Sequence, residues 1–213
     1  MYKVAALFLL LLGFLTASGQ QNWKLNNEVD GIKVYSAAVP DSKVKAIKVE
    51  CDLQATLAQL VTVLLDIKTC TDWVYNTKSC ILLKQVSASE LYYYSEVNIP
   101  WPAQNRDFVA HLTITQNPDT KVVYVDGPAV PGMVPIKKGV VRIERSIGKW
   151  VIAPLAGGRV HVTYTLQVDP GGIIPAWLVN MVAGEGPTQS FKKLRLQLQK
   201  PAYRDVSLSF IKD

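Results

Sequence analysis

Arg159-Val160-His161-Val162-Thr163-Tyr164-Thr165-Leu166-Gln167-Val168-Asp169 alternates from one end to the other. Val160, Val162, Tyr164, Leu166 and Val168 take the even positions, while Arg159, His161, Thr163, Thr165 and Gln167 take the odd ones. A period of two puts successive side chains on opposite faces of a β-strand. One apolar and one polar face describe a sheet that is covered on a single side. Asp107–Gln116 repeats the pattern, with Phe108, Ala110, Leu112 and Ile114 on even positions and Asp107, His111 and Thr115 on odd ones.

Strands extend in both directions from these two. Gly31–Ala37 and Lys43–Asp52 alternate across the turn Val39-Pro40-Asp41-Ser42, and Ser79–Ser87, Glu90–Asn98, Lys121–Asp126 and Val140–Ala153 read the same way. Asn117-Pro118-Asp119 and Ala156-Gly157-Gly158 supply turn chemistry, and such short connections join antiparallel neighbours. Two stretches change to a helical period. In Ala55–Asp66, Leu57, Leu60, Val61, Leu64 and Leu65 share a face behind the N-cap candidate Thr56. Ile174–Gln199 is opened by Pro175 and interrupted by Gly184-Glu185-Gly186-Pro187, which predicts a kink or two consecutive helices. Trp177, Leu178, Met181 and Val182 begin a stripe that Phe191, Leu194 and Leu198 continue, with Lys192, Lys193, Arg195 and Lys200 facing outward.

The fold class is therefore α+β, a curved antiparallel sheet of roughly seven to nine strands against a long C-terminal helix. One amphipathic helix is too narrow to fill such a sheet, so an internal hollow fit for an apolar ligand is expected. The competing expectation is a core filled by bulky side chains, giving a partner-binding or structural module.

The N-terminus reads as a targeting segment. Met1-Tyr2-Lys3 precedes twelve uncharged residues, Val4 to Leu15, and Thr16-Ala17-Ser18-Gly19-Gln20 offers small residues to a signal peptidase. The expected division is a signal peptide over 1–19 and one domain over 20–213, exported to the periplasm or secreted. A retained anchor is the alternative, although a spanning helix needs ~20 apolar residues. Losing residues 1–19 removes one lysine and changes the net charge from +6 to +5. That excess suits transient contact with an anionic membrane surface. It is spread along the chain without basic runs interleaved with aromatics, which argues against nucleic acid. Of the three cysteines, Cys70 and Cys80 flank the Trp73 loop and are the expected pair, and Cys51 reads as a buried small apolar residue.

Several stretches carry a resemblance: Trp23-Lys24-Leu25 with Asp30-Gly31-Ile32-Lys33-Val34-Tyr35, Asp66 with Asp72-Trp73 and Leu82-Leu83-Lys84, and Pro100-Trp101-Pro102 with Arg106-Asp107-Phe108-Val109. Gly148-Lys149-Trp150 with Pro154, Val162-Thr163-Tyr164, Asp169-Pro170-Gly171-Gly172 and Ile174-Pro175-Ala176-Trp177-Leu178-Val179-Asn180 follow in order. Over residues 23–199 the chain resembles the START (steroidogenic-acute-regulatory-related lipid transfer) domain of the helix-grip superfamily, as a bacterial-type secreted member. The resemblance implies a helix-grip fold of about nine strands with an internal tunnel for a lipid, sterol-like or other hydrophobic small molecule. It also implies entry through loops beside the closing helix. The gate candidate is Gly127–Gly139, with Val130, Met133, Val134 and Ile136 beside Lys137-Lys138; an apolar tip next to lysines suits an anionic bilayer surface. The competing reading is a long connection held by its own prolines.

The expected cavity residues are Tyr92, Tyr94, Glu96, Phe108, Leu112, Tyr164, Leu166, Trp177 and Met181. Many relatives place a charged or hydrogen-bonding pair deep in the tunnel; Leu112 stands where an internal Arg would be sought, and Arg106 and Asp107 read as bracing the loop before their strand. No cofactor and no metal site are expected: His111 and His161 face away from the apolar side, on strands separated by two others. No nucleophile elbow, phosphate loop or Cys-x-x-Cys motif occurs. The chain is accordingly expected not to be an enzyme. The alternative is a cyclase- or hydrolase-like cavity enzyme with Glu96 or Tyr94 as acid–base.

Overall fold

The computed structural model describes residues 22–39, 45–172 and 184–213. The elements, in chain order, are β1 (Lys24–Val29), β2 (Ile32–Ala38), β3 (Lys45–Leu53), α1 (Leu57–Leu65), α2 (Cys70–Trp73), β4 (Thr77–Ser87), β5 (Glu90–Val97), β6 (Asn105–Gln116), β7 (Val123–Pro128), β8 (Val140–Arg142), β9 (Arg145–Leu155), β10 (Arg159–Asp169) and α3 (Gly186–Leu198). The ten strands form one sheet in the order β1-β2-β3-β10-β9-β7-β6-β5-β4, with β8 beside β6. Every pairing is antiparallel except that of β6 with β8. With α3, this is the α+β architecture expected from the alternation.

Local chemistry explains the joints. Asp30 and Gly31 both take positive φ, 52° and 72°, as a two-residue hairpin turn between twisted strands requires. Thr56 caps α1 through a capping box: its hydroxyl accepts from the Gln59 N–H at 3.2 Å, and the Gln59 side chain accepts from the Thr56 N–H at 3.4 Å. The Cys70–Cys80 disulfide ties α2 to β4, and Cys51 is free and buried.

Two expected boundaries change. The stretch Val140–Ala153, expected as a single strand, divides into β8 and β9. β8 pairs in parallel with the start of β6, Asn105 opposite Val140 and Asp107 opposite Arg142. The Ile143 N–H then bonds to the Asp107 carbonyl at 2.8 Å, and the chain leaves β6 to run between β7 and β10. The closing helix was expected over 174–199. α3 covers its second part with Pro187 in the first turn, whereas residues 173–183, including Trp177 and Met181, lie outside the described residues, as does the turn at Pro40–Ser42.

The core lies between the sheet and the helices. Ile32, Val34, Val49 and Leu53 from β2 and β3 meet Leu57, Leu60, Val61 and Leu64 of α1 and Leu194 and Leu198 of α3. Each of these large side chains contributes about 1.5–3 kcal/mol by leaving water. α1 is also stapled to α3 by the Gln59 amide, which donates to the Leu198 carbonyl at 2.7 Å. This packed end occupies only part of the concave face.

Candidate functional site

Beyond the packed end, the space between sheet and α3 is a cavity of about 360 Å³. That volume lies in the range of small-molecule sites, about 300–1,000 Å³. β3 contributes Ile47, β6 Phe108 and Leu112, β7 Val125, and β10 Tyr164, Leu166 and Val168, while α3 supplies Phe191. An aromatic wall runs through it: Trp150 stacks on Phe191 at 5.5 Å between centroids, lies 4.6 Å from Tyr164 and meets Trp73 edge-on at 6.4 Å. A more open groove of about 490 Å³, which includes Lys78, Asn98 and Lys193, shares Val74, Asn76 and Thr77 with the cavity wall but has no aromatic lining among the described residues.

The sequence places Phe108, Leu112, Tyr164 and Leu166 on the apolar face, and all four line the cavity. Tyr92, Tyr94 and Glu96 do not. In the β5–β6 pairing Leu91 stands opposite Leu112, Tyr93 opposite Ala110 and Ser95 opposite Phe108. Directly paired residues share a face, so the odd positions of β5 look inward with the even positions of β6. Tyr93, Ser95 and Val97 therefore line the cavity. The inward assignment of Tyr92, Tyr94 and Glu96 is corrected by this one-residue change of phase. Three consecutive tyrosines carry no apolar alternation from which the phase could be read.

Tyr94 and Glu96 are buried on the other face of the sheet, beneath the Gly127–Gly139 loop. Glu96 accepts from Lys78 at 2.8 Å, Asn105 at 3.0 Å and Lys137 at 3.2 Å. These partners, Lys78 foremost, hold its carboxyl down to about 2. The Tyr94 hydroxyl donates to Asp107 at 3.1 Å, and the Lys137 ammonium stands 4.5 Å over the Tyr94 ring. Asp107 is also clasped by Arg142, whose Nε and Nη2 donate at 2.6 and 3.1 Å. Arg142 in turn holds the carbonyls of Val134 and Pro135, at 3.2 and 3.1 Å. This network fixes the loop onto the sheet and keeps Glu96 and Tyr94 out of the cavity lining. Val130, Met133, Val134 and Ile136 are absent from the cavity lining, and the loop meets it only at its root, Gly127.

Arg106 and Asp107 separate at the strand. Asp107 belongs to the outer network, whereas Arg106, 3% exposed, lines the cavity and donates to the Gln104 carbonyl, its pKa lowered by burial. Burial also pushes the Tyr93 phenol up to about 12 and raises that of Tyr164. Trp73, Tyr93, Ser95 and Trp150 are wall residues that the pattern alone did not select, and Phe191 reaches the wall from the apolar stripe of the closing helix. His111 on β6 and His161 on β10 have β7 and β9 between them.

The START domain model matches residues 14–204. The chain belongs to the START domain family. A crystal structure of a STAR-related lipid transfer protein from Xanthomonas axonopodis shares 37% of its sequence, superposes with a TM-score of 0.76, and aligns over 84% of this chain and 99% of that one. An uncharacterised protein of Pseudomonas aeruginosa is 34% identical over 84% of this chain and 88% of its own length. The mouse phosphatidylcholine transfer protein is 29% identical over 81% of this chain and 82% of its own. The ten-stranded sheet with its closing helix is thus the helix-grip architecture, and the cavity of this START domain lies between the two. At the position where an internal Arg was sought, the START domain has Leu112, itself on the wall.

Proposed function

We propose that this START domain is a non-catalytic carrier that encloses one hydrophobic small molecule, a lipid or sterol-like compound, in the cavity between sheet and α3. One observation carries the reading: about 360 Å³ of space between sheet and α3, walled by Phe108, Leu112, Trp150, Tyr164, Leu166 and Phe191. The described lining includes no carboxylate and no histidine that could move a proton. The names of the Xanthomonas and mouse relatives, both lipid transfer proteins, support the same class of cargo.

Exchange takes place at an anionic membrane surface. Ile136 is 72% exposed, Met133 42% and Trp101 90%. The Trp101 loop leads into Asn105 and the 131–139 loop into Val140, residues that pair with one another, so both loops end on the same part of the sheet. Exposed aromatic and aliphatic side chains beside Lys137 and Lys138 suit the headgroup boundary. The loop serves as a docking surface, since its apolar residues are not part of the cavity wall. Export through the segment 1–19 places the carrier in the periplasm or outside the cell.

Native mass spectrometry of the protein purified from its producing cells tests the carrier reading. A co-purifying small molecule that is released by organic solvent, and that displaces a fluorescent lipid analogue when added back, is the expected result. A bare polypeptide mass together with no uptake of any lipid analogue would overturn it. The same spectrum reads export, because the mature mass begins at Gln20 if the segment is removed.

A further inference from the structure

The donors on the cavity wall have a particular distribution. Trp73 is 7% exposed and lines the cavity, and its Nε1 is buried without a hydrogen-bond partner. Tyr93 and Tyr164 line the same cavity, and among the described residues their rings make aromatic contacts while their hydroxyls make no hydrogen bond. Two tyrosines buried outside the cavity have acceptors: Tyr94 donates to Asp107 and Tyr203 to Asp66. A buried indole N–H or phenol O–H ordinarily finds an acceptor, and leaving one unmade is costly.

The acceptor therefore comes from what fills the cavity. A pure hydrocarbon would leave all three donors unmade. A carbonyl oxygen brings two lone pairs and no donor. Resting on the carrier reading, we infer that the bound lipid carries an ester or ketone carbonyl whose two lone pairs accept from the Trp73 N–H and from one of the Tyr93 and Tyr164 hydroxyls on the same wall, while its apolar body lies along Trp150 and Phe191. These three residues choose among hydrophobic molecules of similar shape, and they do so by hydrogen bonding to oxygen.

A matched pair of probes, 2-undecanone and undecane, tests this with the full chain. In the wild-type protein the Trp73 indole N–H resonance should move downfield with the ketone and stay near its free position with the alkane. Trp73→Phe and at least one of Tyr93→Phe and Tyr164→Phe should lower the affinity for the ketone relative to the alkane, about tenfold for the loss of one well-formed hydrogen bond. An unchanged ketone-to-alkane ratio in the two tyrosine variants, with no selective shift of the Trp73 resonance, overturns the inference and assigns the donors to water. The tyrosine variants and the wild-type resonance decide the matter even if Trp73→Phe does not fold. Failure of both probes to bind overturns the inference where a fluorescent lipid analogue is still taken up, and overturns the carrier reading where no lipid analogue is taken up.

Discussion

Glu96 illustrates how partners decide the role of a carboxyl. It occupies a strand whose neighbouring tyrosines suggest a lipid-facing surface, yet Lys78, Asn105 and Lys137 converge on it from the opposite face. Its folded-state pKa of about 2 lies below the ordinary glutamate value of 4.5. A depressed carboxylate stabilises the native state above the unfolded pKa, and the contribution disappears as pH falls through the folded one. Glu96→Gln removes the charge while keeping the shape. The stability gap between wild type and this variant should be constant above about pH 5 and close between about pH 4.5 and 2. Urea unfolding at a series of pH values measures it. Uptake of a fluorescent lipid analogue should be unchanged within about twofold, because the residue is absent from the cavity wall; loss of uptake without loss of stability would return Glu96 to the ligand site.

At the scale of elements, the disulfide between α2 and β4 is the strongest local tie on the cavity rim, since Cys70 and Cys80 both belong to the lining. Closing a loop between residues ten apart restricts the unfolded chain by about 2–3 kcal/mol. Replacing both cysteines with serine should lower the melting temperature by roughly 5–10 °C for a domain of this size, as read by calorimetry under non-reducing conditions. An unchanged transition would show that the bridge adds no constraint. Most of the elements were legible because their side chains alternate cleanly: β6 and β10 each show their inner face in sequence, and Thr56 announces α1. β5 was legible as a strand but not in phase, because Tyr92-Tyr93-Tyr94 presents the same chemistry to both faces and only the pairing of Ser95 with Phe108 resolves it. The break between β8 and β9 was hidden for a related reason. Val140 to Ile143 would suit continuous strand, and the change of partner is set by tertiary pairing with β6. Trp73 could be read as a motif residue, but its orphaned N–H exists only in three dimensions.

For the molecule as a whole, the question is whether the space between sheet and helix is a designed hollow or merely loose packing. α1 and the second half of α3 fill one end of the sheet with Leu57, Leu60, Val61, Leu194 and Leu198. The other end is walled by large aromatic side chains that contact one another around the space instead of filling it. Introducing a larger side chain separates the two cases. Leu166 lines the cavity from β10, and its neighbour Thr165 points to the opposite face of the sheet. In a hollow kept for a ligand, Leu166→Trp places an indole where the lipid would lie. It should reduce uptake of a fluorescent lipid analogue at least tenfold while leaving the melting temperature unchanged or higher, since filling a void restores contacts. Where packing is already complete, the same substitution forces strain and costs about 1–3 kcal/mol, which calorimetry would register as a lower melting temperature. Thr165→Trp is the control for a bulky residue on the same strand and should alter neither property. A destabilised Leu166→Trp that still takes up the analogue at wild-type affinity would place the ligand elsewhere, and the distinction is available without knowing the natural cargo.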